Sequence, residues 1–161
     1  MIDPPLIEPV IIYCDGACFP NNSAGTGGYA AVLLYKGHRK EISGAVGSTT
    51  NNRMEMTAAL KALELIEKPR KIIIRTDSQY VCNAFNKKWL ANWRRNGWKT
   101  SQGGPVLNQD LWEALLLQVV KHRITWEWVR GHSDNVENNR CDELAVQARQ
   151  EYDQQRRETN K

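Results

Sequence analysis

The sequence predicts an α/β domain, and three observations carry that expectation. Apolar, β-branched runs of strand length occur at Val10–Gly16 and Lys71–Asp77, each closing on an aspartate. Between them, Tyr29–Tyr35 and Lys40–Val46 flank the hairpin turn Lys36-Gly37-His38-Arg39, so the first three strands form an antiparallel meander. After the meander, helical periodicities alternate with strand patterns to the end of the chain. A length of 161 residues suits one domain with a core and is short for two. The expected organisation is a single domain over 1–161, with 1–9 as an N-terminal extension and 154–161 as a polar tail that frays.

A polar loop, Cys18 to Gly28, follows the first strand. Gly25-Thr26-Gly27-Gly28 is not a dinucleotide fingerprint, because that motif must open a helix and here a strand follows. It reads as a turn, and His38 reads as a solvated turn residue. Thr49-Thr50-Asn51-Asn52 offers capping side chains for a helix whose Met56, Ala59, Leu60, Leu63 and Ile66 pack one face on the sheet. Glu55 falls in its first turn. Pro69 ends this element before the strand that leads to Asp77. Ser78 to about Ala91 reads as helix, and a further helix runs from Asn108 or Gln109 to about Val120. Ile124–Val129 alternates as the last strand, with His122 at the surface before it. A polar loop, Arg130–Asn135, precedes a final helix beginning near Asn138-Asn139. That helix carries Asp142 in its first turn and buries Cys141, Leu144, Ala145 and Ala148.

Hydrophobic residues at 41% and charged residues at 25% are those of an ordinary globular protein. No run approaches the length of a membrane span. The first nine residues hold two acids, three prolines and no basic n-region, unlike a signal peptide, so a cytoplasmic setting is expected. Cys14, Cys18, Cys82 and Cys141 form no CxxC pair and are expected to be reduced and mostly buried. The net charge of +4 is mild, but a local excess would favour polyanions. Such an excess occurs where Lys87, Lys88, Arg94, Arg95 and Lys99 interleave with Trp89, Trp93 and Trp98. Trp89 and Trp93 stand four apart on one helical face. The segment reads as a tryptophan-cored helix pair with a basic outer face, suited to a nucleic-acid backbone and its sugars.

The acids are the sharper signal. Strands ending in Asp15 and Asp77 would set two carboxylates side by side if they are neighbours in an open sheet. Like charges so placed need a cation or a raised pKa. A metal site is one reading, and two aspartates capping strand-to-helix turns is the other. These two segments leave both open.

Around Asp15, Glu55, Asp77 and Asp142 the sequence resembles type 1 ribonuclease H, from about Val10 to Ala148. The motifs appear in order: Cys14-Asp15-Gly16-Ala17-Cys18, Thr49-Thr50-Asn51-Asn52-Arg53-Met54-Glu55 and Thr76-Asp77-Ser78-Gln79-Tyr80-Val81. They continue with Trp126-Glu127-Trp128-Val129-Arg130-Gly131-His132 and Glu137-Asn138-Asn139-Arg140-Cys141-Asp142-Glu143-Leu144-Ala145. The segment Trp89 to Thr100 looks like the family's basic handle. Each motif alone is weak, and the ordered set is specific.

The resemblance implies a five-stranded mixed sheet flanked by helices, and endonucleolytic cleavage of the RNA strand of an RNA–DNA hybrid, without strong sequence specificity. It implies two Mg²⁺ ions, with Mn²⁺ as a substitute, held by the four acids, with Asp15 bridging. Asp142 would complete one shell, Glu55 and Asp77 the other. Hard divalent ions prefer carboxylate oxygens, and two of them about 4 Å apart support an in-line displacement. His132 would assist proton movement or product departure. Cys18, Asn21 or Asn22, Asn51, Asn52 and Gln79 would meet the hybrid in its minor groove, where a 2′-hydroxyl distinguishes RNA from DNA. Trp89, Trp93 and the neighbouring Lys87, Lys88, Arg94, Arg95 and Lys99 would hold the DNA strand. A monomer is expected.

The loop Phe19–Thr26 is longer than the compact Gly-Asn-Pro-Gly version of many bacterial members, and no hybrid-binding domain is expected before Val10. Two other readings compete: a DNA nuclease or recombinase with the same acidic chemistry, and a non-enzymatic hybrid-binding module whose acids are caps and surface charges.

Overall fold

The computed structural model describes residues 8–19, 25–131 and 134–159. Strands β1 (Val10–Phe19), β2 (Gly25–Tyr35) and β3 (His38–Thr49) form the expected antiparallel meander. The two residues joining β2 to β3, Lys36 and Gly37, both have positive φ, 48° and 79°. That is the twist a two-residue hairpin requires. Strands β4 (Lys71–Thr76) and β5 (Arg123–Trp128) add in parallel beside β1, giving one five-stranded mixed sheet of order β3-β2-β1-β4-β5.

Helices cover the two faces unequally. Helices α1 (Asn51–Glu64), α2 (Gln79–Asn86), α3 (Trp89–Arg95) and α4 (Gln109–Lys121) share the larger core with Ile12, Cys14, Ile72, Ile74 and Trp126. Helix α5 (Val136–Thr159) lies on the other face, where Cys141 and Ala145 pack against Tyr13, Ala30 and Val32. The alternation Tyr13/Cys14 thus divides β1 between two cores, as the period of a strand demands.

Several elements depart from the sequence reading. Helix α1 does not bury one stripe. Met54 through Leu60 are all buried, because α4 packs against the side turned away from the sheet. Its N-cap is Thr50, whose hydroxyl accepts from the Arg53 N–H (3.3 Å), so Glu55 lies one turn in, not in the first turn. Helix α1 also stops at Glu64, short of Pro69. The expected helix from Ser78 to Ala91 is broken in two. Ser78 caps α2, and Lys88, left-handed at φ 60°, turns the chain before α3 begins. Gly25–Gly28 belongs to β2 and is no turn. Helix α5 begins earlier than Asn138, because Asn135 accepts from the Asn138 N–H at 2.9 Å and so caps it. Asp142 is accordingly in the second turn. The polar tail is helical over 154–159: α5 runs to Thr159, with Gln154 bonded to Glu158 (3.4 Å). His122, expected at the surface, is buried, with Nδ1 accepting from the Arg70 N–H at 3.1 Å.

Candidate active site

The pairing of β1 sets the site. Its parallel register with β4 ends at Cys14↔Thr76, whereas its antiparallel register with β2 continues to Phe19↔Thr26. Asp15 is therefore not at the end of β1, as its position before a glycine implied. It stands where β4 leaves the sheet, with Asp77 immediately after β4. Two carboxylates meet at the gap that opens between parallel partners, the location expected for ligands in such sheets.

The third carboxylate arrives from a helix. Gly16 follows Asp15, and a Cβ there would lie 2.5 Å from the Met54 carbonyl carbon and 2.6 Å from the Glu55 nitrogen. Only a glycine lets α1 settle this close to β1, and that approach delivers Glu55 to Asp15. The Asn51 side-chain Oδ1, accepting from the Cys18 N–H at 3.0 Å, pins the start of the helix to the same strand. Asp15, Glu55 and Asp77 consequently offer ligand oxygens that all lie within 4.8 Å of one another. Asp15 and Glu55 are buried.

Such proximity is costly. Burial, followed by the charge of Asp77, pushes the Asp15 carboxyl from 3.8 up to about 8, with Asp142 adding to the push. The Gly16 N–H donating to Asp15 Oδ1 (2.9 Å) opposes the shift and orients the side chain. Burial, then the charges of Asp15 and Asp77, likewise raises the Glu55 carboxyl well above its ordinary value. Glu55 Oε2 is buried without a protein partner. A divalent cation answers each of these features: it neutralises the clustered charge and takes the orphaned oxygen, and hard oxygen ligands are what such ions prefer. The residues fit a metal.

Asp142 is not within the three-acid cluster, yet its charge is felt at Asp15. Its place depends on how α5 is anchored. Cys141 Sγ bonds the Tyr13 carbonyl (3.3 Å), and Gly28 of β2 lies so close to Ala145 that any Cβ would collide with its carbonyl. Outside, Arg39 forks onto Glu137 (both contacts 3.0 Å) and Arg140 onto Glu41 (2.8 and 3.2 Å), tying β3 to the first turns of α5. Exposed pairs of this kind are individually weak, and here they act as a network.

Two contacts around Asp77 were missed by sequence reasoning. The Trp128 indole N–H donates to the Asp77 carbonyl at 3.0 Å, and a Cβ on Gly131 would lie 2.6 Å from Asp77 Oδ2. The end of β5 thus walls in Asp77. The alternation of β5 located Trp128, but nothing in the sequence identified its partner.

The remaining predicted residues separate into groups. Asn52 and Gln79 are exposed on the first turns of α1 and α2, and Asn51 is half-buried. Cys18 is buried, with Sγ bonded to the Thr49 carbonyl at 3.3 Å. Trp89 and Trp93 are half-buried, with ring centroids 6.1 Å apart, and Trp93 reaches the buried Trp112 at 5.9 Å. Lys87, Lys88, Arg94, Arg95 and Lys99 are exposed around them, the tryptophan core and basic face expected. A cleft lined by Trp89, Trp93, Asn96 and Lys99 opens there. His132, Asn21 and Asn22 lie outside the described residues.

A mixed sheet whose central strands bring buried carboxylates together defines a class of proteins built around an acid-centred site fitted to a metal. Comparison with known proteins narrows it. The RNase H family model matches residues 8–150. Ribonuclease H of Pelobacter propionicus is 53% identical over 141 residues, covering 88% of this chain and 85% of that protein. Ribonuclease H of Moorella thermoacetica is 54% identical over 139 residues, covering 86% and 90%. Among solved structures, LC9-RNase H1, described as a type 1 RNase H with the type 2 active-site motif, superposes with a TM-score of 0.78 at 28% identity, over 92% of this chain and 74% of that one. LC11-RNase H1, solved in complex with RNA/DNA hybrid, shares the fold with a TM-score of 0.65 at 21% identity, over 89% and 98%. The chain belongs to the RNase H family, in its type 1 branch. It is accordingly a ribonuclease H, a metal-dependent nuclease.

Proposed function

We propose that the chain hydrolyses the RNA strand of RNA–DNA hybrids endonucleolytically, leaving 5′-phosphate and 3′-hydroxyl ends, through Asp15, Glu55, Asp77 and Asp142. The observation that carries this reading is the cluster of three carboxylates within 4.8 Å, two of them buried, in a chain of this family. The four acids would hold two Mg²⁺ ions, with Mn²⁺ as a substitute. Bound there, such cations supply a more acidic attacking water and charge stabilisation at the leaving 3′ oxygen.

The chain's own residues do the rest. Asp15, oriented by the Gly16 N–H, would be a metal ligand, as would Glu55, which enters from α1 with its unpartnered Oε2. Asp77 is backed by Gly131, and Asp142 enters from α5. His132 would assist proton movement or product departure. Cys18, Asn51, Asn52 and Gln79, with Asn21 or Asn22, read the minor groove. The burial of Cys18 and its bond to the Thr49 carbonyl support a role in shaping that surface. Trp89, Trp93, Lys87, Lys88, Arg94, Arg95 and Lys99 hold the DNA strand by sugars and phosphates, which carry little sequence information. The protein works as a single-domain, cytoplasmic monomer. Its four buried thiols suit a reducing compartment.

The test compares labelled hybrid, duplex RNA and duplex DNA, with Mg²⁺ and with EDTA, for wild type and Asp15→Asn. Mg²⁺-dependent cutting of RNA in the hybrid alone, lost in the variant, is expected. Cutting of duplex DNA would transfer the protein to the recombinase class, and binding without cutting would leave a binding module.

A further inference from the structure

A second concentration of charge lies at the opposite end of the sheet. Lys40, Lys68, Arg70, Lys71, Lys121 and Arg123 line two adjoining clefts, and Arg70 belongs to both. The clefts are built from the β2–β3 turn, the α1–β4 connection and the α4–β5 connection. Ion pairs among the described residues engage Arg39, Arg53, Lys61, Arg75, Arg140 and Arg149, and none of the six. Glu67 is the one carboxylate among the described residues lining either cleft. Counting Arg39, seven of the chain's 22 basic residues stand here with one of its 18 acids. The pole thus carries six more basic residues than acidic ones, and among the described residues Arg39 alone of its seven cations is paired, to Glu41 and Glu137.

The cations project from a fixed floor. The buried His122 accepts from the Arg70 N–H at 3.1 Å, the Arg123 N–H donates to the Arg70 carbonyl at 3.0 Å, and Lys121 Nζ donates to the Ile66 carbonyl at 2.9 Å. Lys36 and Arg70 both stand over the Tyr35 ring, at 5.3 and 5.5 Å. Like charges held in place repel one another, and a polyanion relieves that repulsion. From β2 to β5 is three strand spacings, about 14 Å, and the six residues of β4 set the pole about 20 Å from the carboxylates.

We propose that this pole is a second, non-catalytic nucleic-acid-binding face that takes the phosphate backbone of a duplex without regard to sequence. The charges are spread over three connections instead of ringing one pocket, which matches an extended polyanion carrying a charge every ~1.7 Å of axis. The separation from the carboxylates means that the segment held here is not the one being cut. The protein can grip a second duplex, or a distant part of the same one, while a hybrid occupies the active site.

The probe is a labelled 20-base-pair DNA duplex in EDTA, titrated by anisotropy between 50 and 200 mM salt, so the outcome does not depend on hydrolysis. The quadruple variant Lys68→Gln, Arg70→Gln, Lys71→Gln, Arg123→Gln keeps every main-chain bond of the floor. It should bind about tenfold more weakly at 50 mM salt, with a log–log salt slope shallower by about three. Its single-turnover cleavage of hybrid at saturating enzyme should match wild type. Lys88→Gln, Arg94→Gln, Arg95→Gln should keep the polar share of binding, and the combined variant should lose both. Wild-type affinity and slope in the quadruple variant would overturn the proposal. So would loss of binding to a poly-glutamate peptide with duplex DNA unaffected, which would make the face a protein-docking site. Should the variant unfold, amide shift mapping of the wild type with the same duplex decides: perturbation at 68–71 and 121–123 supports the proposal, and its absence there overturns it.

Discussion

At the scale of single residues, the site is a balance of repulsion and burial, and the balance is measurable. The folded chain holds the Asp15 carboxyl at about 8 against 3.8 in an unfolded peptide, and Glu55 is raised in the same sense. Between those values the folded state binds protons that the unfolded state has released, so metal-free stability must fall as pH rises. It is whole below about pH 4 and lost by about pH 8. Thermal melts in EDTA should show this decline, Mg²⁺ should reverse it most at the alkaline end, and Asp15→Asn should flatten it. At pH 8 that variant should melt about 3 °C or more above metal-free wild type while its activity is abolished. A melt that is independent of pH in EDTA would contradict the clustered carboxylates. Gly16→Ala attacks the same site sterically. Its Cβ meets the backbone of Met54 and Glu55, not a side chain that can swing away. The expected cost is about 1–3 kcal/mol in denaturant unfolding, with a weakened response to Mg²⁺ because Glu55 is pushed from Asp15.

At the scale of elements, the handle is only as firm as its tryptophan core. Trp112 is fully buried between Tyr80, Phe85 and Trp93, with centroid distances of 5.2, 5.9 and 5.9 Å. Trp112→Ala should cost about 3–5 kcal/mol and raise KM for hybrid more than it lowers kcat, since α3 loses its support before the carboxylates do. Trp112→Phe should cost less, because the indole N–H it removes has no partner. The elements also show where sequence is informative. Periodicity located all five strands, and the α1, α4 and α5 helices to within a few residues, because each has a face that must be apolar. It missed the break at Lys88, which rests on one left-handed residue carrying no glycine. It missed the burial of His122, whose pairing partner is a main-chain N–H from 52 residues away. The four acids were legible as a set only through the order of their motifs. That Gly16 and Gly28 admit α1 and α5 to opposite faces follows from packing, and no local pattern encodes it.

At the scale of the whole molecule, charge is divided three ways: acids at one end of the sheet, cations at the other, and a basic handle to the side. Hybrid binding should therefore weaken steeply with salt, and neutralising Lys88, Arg94 and Arg95 should flatten that dependence while sparing single-turnover chemistry. Collapse of chemistry at saturating enzyme would refute the handle's role.

The thiols carry a last consequence. Cys14 and Cys141 are fully enclosed, and burial raises Cys14 well above 9, Cys82 to about 11 and Cys141 to about 12. At pH 8 less than about one part in a hundred of such thiols is in the reactive form, before access is considered. A colorimetric disulfide reagent added to the native protein has almost nothing to attack at these three positions. Their modification becomes a clock for the opening of the chain itself: Cys14 lies in the larger core and Cys141 in the smaller, so their two labelling rates would time when each comes apart.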